Sequence, residues 1–400
     1  MYEEIRKQQE AKRPMYRMIP KPVPVCYIGA GKALKVGELL NLYGVRKAAV
    51  ITDGSLRAIG LPDPMIKAIE QAGVETVIID RITPDPTFGV VEEALKTCLD
   101  NGCDGVVAMG GGSVLDTAKM VSVCASTGQA PMELAGSMKV KGIALPFIAI
   151  PTTAGTGSET TIAAAISMTD THKKVPVADP NLVPDCAVLD PELTVGLPAS
   201  ITAFTGMDAL THAAEAMVSV YCDPEAARLA KAAVKLIFEN LENVMEEPAD
   251  LKSRENLLVA SFLGGMAFTR TMVGYVHGFA HNIGGKYGVP HGLANAVLLP
   301  HIMNFYKDVC ERELAELWDV IAPEQNGLSA AEKANGFIKR IETLNRALGI
   351  PERLERFPES GIDAICEAGF QETHTMYPVP KYMTEEDAKE ILGKICKKGE

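Results

Sequence analysis

The 400-residue sequence has no C-x-x-C pair, no excess of basic residues and no run of about 18 apolar residues. Its nine cysteines, an odd number scattered from Cys26 to Cys396, offer neither a disulfide framework nor a thiolate metal site and read as reduced thiols. With 39 Lys plus Arg against 51 Asp plus Glu, the formal charge of -12 lacks the basic footprint that tracks nucleic-acid phosphate or an anionic membrane. The N-terminal stretch Met1 to Arg17 mixes acids and bases without the apolar core of a signal peptide, so a cytoplasmic location is expected, with neither nucleic acid nor membrane as partner. Low-complexity bias is absent too. A 47% hydrophobic, 6% aromatic and 22% charged composition supplies ample material for buried sheets.

At about 100 to 200 residues per domain, this length predicts two units. The first half alternates short apolar runs with turn residues and amphipathic segments, the pattern of βαβ units around a mostly parallel sheet. Ala48 to Thr52, Thr76 to Asp80, Gly105 to Met109 and Phe147 to Ile150 are expected strands, and Pro64 to Ala72 and Phe88 to Asn101 expected helices. After Asp190-Pro191 the segments lengthen and take helical spacing: Thr202 to Val220, Ala226 to Met245, Lys252 to Phe268 and Leu328 to Leu348. The division expected is an α/β domain over 1–194, including an extension over 1–20 of unassigned order, and an all-α domain over 195–400.

The segment Met109-Gly110-Gly111-Gly112-Ser113 follows an expected strand and opens an expected helix, so backbone N–H groups and the helix dipole converge on one anion position. Glycines there let the backbone approach a pyrophosphate closely, although a glycine triplet after a strand is also an ordinary tight turn. A second loop, Pro151-Thr152-Thr153-Ala154-Gly155-Thr156-Gly157-Ser158-Glu159, presents small hydroxyl residues suited to a ribose or a nicotinamide amide. Asp53, closing a strand in Ile51-Thr52-Asp53-Gly54, is placed to accept both hydroxyls of an adenosine ribose and to repel a 2′-phosphate.

Of only seven histidines, His277, His281, His291 and His301 fall within 25 residues, and His212 stands four after Asp208 in an expected helix. The i,i+4 pairs Asp208/His212 and His277/His281 each project from one helical face, so two such faces can meet around one ion. Imidazole with carboxylate and no thiolate suits Fe(II), Zn(II), Mn(II) or Ni(II). Such an ion acts as a Lewis acid that lowers the pKa of an alcohol or polarises a carbonyl.

Three stretches, Gly206-Met207-Asp208-Ala209-Leu210-Thr211-His212, His277-Gly278-Phe279-Ala280-His281 and Pro290-His291-Gly292-Leu293-Ala294-Asn295, resemble the iron-containing (group III) alcohol dehydrogenase family. The Gly110 to Lys119 and Pro151 to Glu159 loops and Tyr377-Pro378-Val379-Pro380 share that resemblance, which runs from about Val23 onward. It implies a dehydroquinate synthase-like architecture: an N-terminal α/β dinucleotide-binding domain and an all-α C-terminal domain. It implies metal ligation by Asp208, His212, His277 and His291, with Fe(II) as the ion and Zn(II) as the other candidate. Asp208 and His281 become the catalytic candidates, His281 as proton relay. NAD contacts are implied for Asp53, Asp85, Gly111, Gly112, Ser113, Asp116, Thr152, Thr153 and Thr156, and for Lys174 on a hairpin.

The activity implied is NAD-dependent alcohol oxidation and aldehyde reduction, by hydride transfer between the carbinol carbon of a primary alcohol and nicotinamide, in a homodimer or larger homo-oligomer. Competing readings are a zinc glycerol dehydrogenase-like or dehydroquinate synthase-like activity and a non-catalytic filament subunit. Two departures bear on substrate. Family members often carry Asn where Arg270 stands, and lactaldehyde-type relatives carry Asn near Ala163. At position 270 an arginine offers a carboxylate or phosphate contact to substrate, against an ion pair within the protein.

Overall fold

The computed structural model describes residues 2–170, 174–325 and 327–398. It forms two compact units: one holds Pro20–Leu197 and Ala249–Phe262, the other Met1–Ile19, Pro198–Pro248 and Leu263–Glu400. Among the described residues no single helix is long and apolar enough to cross a membrane.

Eleven strands occur among the described residues: β1 (Val25–Ile28), β2 (Lys47–Asp53), β3 (Glu75–Ile82), β4 (Gly105–Gly110), β5 (Gly136–Ser137), β6 (Phe147–Pro151), β7 (Ala163–Ser167), β8 (Lys174–Ala178), β9 (Cys186–Leu189), β10 (Leu354–Pro358) and β11 (Cys396–Lys397). Six of them make a parallel sheet in the order β1-β9-β6-β4-β2-β3. Along β4 and β6 every residue is buried, which is why these strands read as unbroken apolar runs rather than as an alternation. Successive side chains instead feed two cores. Ala49, Ile51, Val106, Ala108 and Ala149 pack with the helices Phe88–Asp100 and Gly112–Thr127. Ala48, Val50, Val107, Met109, Ile148 and Ile150 pack with the helices Val36–Leu42 and Asp63–Gln71.

The chain runs outward from β2 to β3 and then crosses back to place β4 on the other flank of β2, so strand order reverses between β2 and β4. The carboxyl ends of strands at such a reversal form the ligand crevice of open α/β sheets. Beside it, β7 and β8 pair antiparallel as the hairpin that carries Lys174, with β5 completing a three-stranded sheet.

The second unit is helical apart from β10 and β11, which pair with each other. Its central helix, Ala199–Val218, is buried at every position from Gly206 to Val218, because Gly206, Ala209, Ala213, Ala214 and Ala216 let neighbours approach closely. Helix starts follow capping chemistry: Asp223 accepts from Ala226 N–H with Pro224 in the first turn, and Ser329/Glu332 and Thr384/Asp387 form capping boxes. Residues 2–18, of unassigned order in the sequence reading, form a helix. Tyr16 Oη donates to Thr269 O (2.6 Å), Tyr221 Oη donates to Gln9 O (2.7 Å), and the Tyr2 ring stacks on Tyr382 at 5.8 Å.

Candidate active site

In the sheet unit, Asp53, Gly111, Gly112, Ser113, Thr152, Thr153 and Thr156 lie at or just beyond the carboxyl ends of β2, β4 and β6, whereas Asp85 follows β3, Asp116 lies within the helix Gly112–Thr127 and Lys174 begins β8. Asp53 ends β2 and caps the next short helix, its Oδ1 accepting from Ser55 N (2.9 Å) and Leu56 N (3.0 Å). Gly111 is the N-cap of the helix Gly112–Thr127, and no side chain caps that end. Thr152 N–H donates to Gly110 O (3.0 Å), which ties the second loop to the first. A Cβ on Gly112 would lie 2.9 Å from Thr156 Cγ2, so this close approach of the two loops requires glycine.

Asp85 adopts a left-handed backbone (φ 51°), donates its N–H to Ser113 Oγ (3.3 Å) and pairs with Lys174 Nζ (2.8 Å). Asp85, Ser113 and Lys174 thus form one cluster. Asp116 serves the scaffold: its two carboxylate oxygens accept from Ser158 Oγ (2.6 Å) and Ala165 N (2.9 Å). Below it, the fully buried Lys119 Nζ donates to Thr161 Oγ1 (2.8 Å) and Ala163 O (2.6 Å). Burial pushes Lys119 down to about 8 and the buried Glu159 up to about 7.

In the helical unit, Asp208, His277 and His291 bring one ligand atom each to within 4.8 Å of one another. The Nδ2 of buried Asn295 sits 2.7 Å from Asp208 Oδ1, 3.1 Å from His291 Nε2 and 3.4 Å from His277 Nε2. One carboxylate oxygen and two imidazole nitrogens therefore converge on one small volume, while among the described residues the buried Asn295 Oδ1 has no hydrogen-bond partner. A carboxylate and imidazoles converging in a buried site, without thiolate, fit a borderline divalent cation. His212 adjoins this set, its Nε2 3.9 Å from Asp208 Oδ1 and its ring stacked between Phe268 (4.2 Å) and His277 (4.6 Å).

Electrostatics order the site. Burial opposes ionisation of Asp208, but His212 and His291 nearby, with hydrogen bonds from His277 and His291, hold it well below the usual carboxylate range. Burial also disfavours charge on His277, yet Asp208 and Glu215 raise it to about 9. His291 has only Asp208 to offset its burial and the repulsion of His281 and His277, and falls to about 4. His281 stacks on His291 at 5.1 Å, and its Nδ1 donates to Glu372 Oε1 (2.7 Å). Glu372 also accepts from Tyr377 Oη (2.6 Å) and Asn282 Nδ2 (3.0 Å).

A sequence model of the iron-containing alcohol dehydrogenases matches residues 24–191, and one of the C-terminal part of the Fe-containing alcohol dehydrogenase family matches 202–396. The chain belongs to the iron-containing alcohol dehydrogenase family. It is therefore an oxidoreductase of a family named for its iron, and the Asp208, His277 and His291 cluster fits a metal ion. The NAD-dependent methanol dehydrogenase of Bacillus methanolicus is 35% identical over 371 residues, 92% of this chain and 97% of that protein. The 1,3-propanediol dehydrogenase of Klebsiella pneumoniae is 37% identical over 342 residues, 85% of this chain and 88% of that one. A solved 1,3-propanediol oxidoreductase superposes with a TM-score of 0.90 at 33% identity, covering 94% of this chain and 99% of its own.

For an iron-containing alcohol dehydrogenase, the sequence alone assigned no role to Glu215 or Glu372, nor to Asn295 within its Pro290–Asn295 motif. Glu215 was legible: it lies three residues after His212 and seven after Asp208, on the same helical face, inside an apolar helix. Glu372 carried no such signal, because 91 residues separate it from His281. Arg270, considered as a substrate contact, ends the helix Leu251–Thr271 and adds to Arg228 in holding Glu225 below its ordinary value.

Proposed function

We propose that this chain oxidises primary alcohols with NAD, and reduces the corresponding aldehydes with NADH, at an iron site held by Asp208, His212, His277 and His291. The observation that carries the reading is the convergence of Asp208 Oδ1, His277 Nε2 and His291 Nε2 within hydrogen-bonding distance of one atom, Asn295 Nδ2. When bound, iron supplies Lewis acidity toward the substrate oxygen and NAD supplies the hydride acceptor.

The chain's own residues supply charge, orientation and proton handling. Asp208 would contribute the only carboxylate of the four ligands, so the ligand set would carry a single negative charge. Glu372 fixes the proton of His281 on Nδ1, leaving Nε2 as the atom that takes the hydroxyl proton. Asp53 accepts the adenosine ribose hydroxyls, Gly111, Gly112 and Ser113 receive the pyrophosphate, and Thr152, Thr153 and Thr156 face the nicotinamide half. Asp85 with Lys174 flanks the pyrophosphate turn, and Asp116 braces the second loop.

The enzyme works in the cytoplasm as a homodimer or larger homo-oligomer. Nine free thiols suit a reducing compartment. The open edge strand β1, with Val25 and Ile28 exposed at 54% and 43%, suits burial against another copy.

The test is NADH formation from a panel of primary alcohols and diols, on protein stripped of metal and reloaded with Fe(II) anaerobically or with Zn(II). Turnover restored by Fe(II), and abolished in Asp208→Ala and His277→Ala, is the expected result. NAD binding without turnover of any alcohol or aldehyde under either metal would overturn the reading.

A further inference from the structure

Glu215 is 2% exposed and lies on the same face of helix Ala199–Val218 as Asp208 and His212. Its Oε2 accepts from His277 Nδ1 (2.6 Å) and from Gly274 N (2.9 Å), and its Oε1 accepts from Val276 N (2.7 Å). Among the described residues its ion-pair partner is His277. A carboxylate so deeply buried without a Lys or Arg is tolerable because three donors satisfy it.

These contacts act on two things at once. The N–H groups of Gly274 and Val276 belong to the start of helix Tyr275–Tyr287, where Gly274 offers no side-chain cap, so Glu215 stands in as the anion at that terminus. Gly274 is also the residue that makes room: a Cβ there would lie 2.9 Å from Glu215 Oε1. The third donor is the imidazole itself. With Nδ1–H committed to Glu215, Nε2, 3.6 Å from Asp208 Oδ1, is the ring nitrogen left to ligate a metal.

We propose that Glu215 is a positioning residue of the metal centre: it locks His277 in the Nδ1–H tautomer and holds the first turn of its helix against the helix that carries Asp208 and His212. This rests on the reading of His277 as a ligand. Carboxylates that orient a ligating imidazole typically contribute 10- to 100-fold in metal affinity. Glu215→Gln keeps the shape but swaps one acceptor for a donor, so at least one of the three contacts becomes repulsive. Glu215→Asp keeps the charge and loses the reach.

The experiment is competition of Zn(II) against a chromophoric chelator on the full chain, with the Tm of the metal-free protein measured in parallel and Asp208→Ala as reference. The expected result is a Kd for Zn(II) about 10- to 100-fold weaker in Glu215→Gln. The metal-free variant melts lower than wild type but stays folded at the temperature of the titration, and binding is lost in Asp208→Ala. Should Glu215→Gln fail to fold, Glu215→Asp is titrated and the same weakening is expected. Wild-type Zn(II) affinity in the Glu215 variants alongside lost binding in Asp208→Ala would overturn the positioning role and leave the ligand reading standing. Unchanged affinity in Asp208→Ala as well would overturn both.

Discussion

Replacing Gly292 by alanine should displace His291 and weaken metal binding without touching a ligand. A Cβ at position 292 would lie 2.2 Å from the carbonyl oxygen of Phe204 and 2.7 Å from its carbonyl carbon. Both are backbone atoms of helix Ala199–Val218, so no rotamer change relieves the clash. Ordinary contact between carbon atoms is about 3.5 Å, so the helix His291–Tyr306 must move by roughly 1 Å relative to its neighbour. That movement falls on the residue next to His291, whose Nε2 stands 3.4 Å from Asp208 Oδ1. Overpacking of this kind costs about 1–3 kcal/mol. The assay pairs the Tm of the metal-free protein with the Zn(II) dissociation constant, using Gly285→Ala as control. Gly285 has nothing within 4 Å of its would-be Cβ and lies inside helix Tyr275–Tyr287, so alanine there is neutral or stabilising by up to about 1 kcal/mol. A Gly292→Ala protein with wild-type Tm and wild-type affinity would refute the claim that the two helices are held at contact distance by glycine.

The contribution of Glu159 to stability should fall between pH 4.5 and 7, because this buried carboxyl titrates near 7 in the native state and near its ordinary 4.5 in the unfolded chain. The loss is on the order of 3 kcal/mol, and Glu159→Gln should flatten that limb of a Tm-versus-pH curve. Lys119, brought down to about 8 from 10.5, works in the opposite sense: the unfolded chain keeps its proton longer, so stability rises over that window. Asp53→Asn keeps the caps on Ser55 and Leu56 while removing one negative charge, and should raise the NADP-to-NAD ratio of kcat/KM roughly tenfold, about 1.4 kcal/mol. An unchanged ratio would mean that Asp53 does not face the ribose. Tyr221→Phe, which removes the donor to Gln9 O, should cost about 1 kcal/mol of stability, read as a lower Tm, and deletion of residues 2–18 should cost more; equal melting curves would show that the N-terminal helix stabilises nothing.

What was legible in the sequence follows burial and range. The strands β2, β4 and β6 stand out because both faces are covered and the apolar run is unbroken. Strands β1 and β9, of four residues each, are too short to rise above the turns that bound them, although they complete the sheet. Helix His291–Tyr306 carries Pro300, and helix Tyr2–Met18 carries Pro14, which on propensity alone argue against both. Tertiary packing decides these two. At the site, Asp208, His212, His277 and His281 announced themselves by i,i+4 spacing, a local signal. The contacts that orient them, Glu215 on His277 and Glu372 on His281, span 62 and 91 residues and belong to the fold rather than to any local pattern.

X-ray absorption at the iron edge of Fe(II)-loaded protein tests the central claim most directly, because the scattering shells count the ligands. Three imidazoles and one carboxylate oxygen, with no sulfur, are expected, and one imidazole should disappear in His212→Ala. A sulfur shell, or fewer than two imidazoles, would contradict the assignment of the ion to Asp208, His212, His277 and His291.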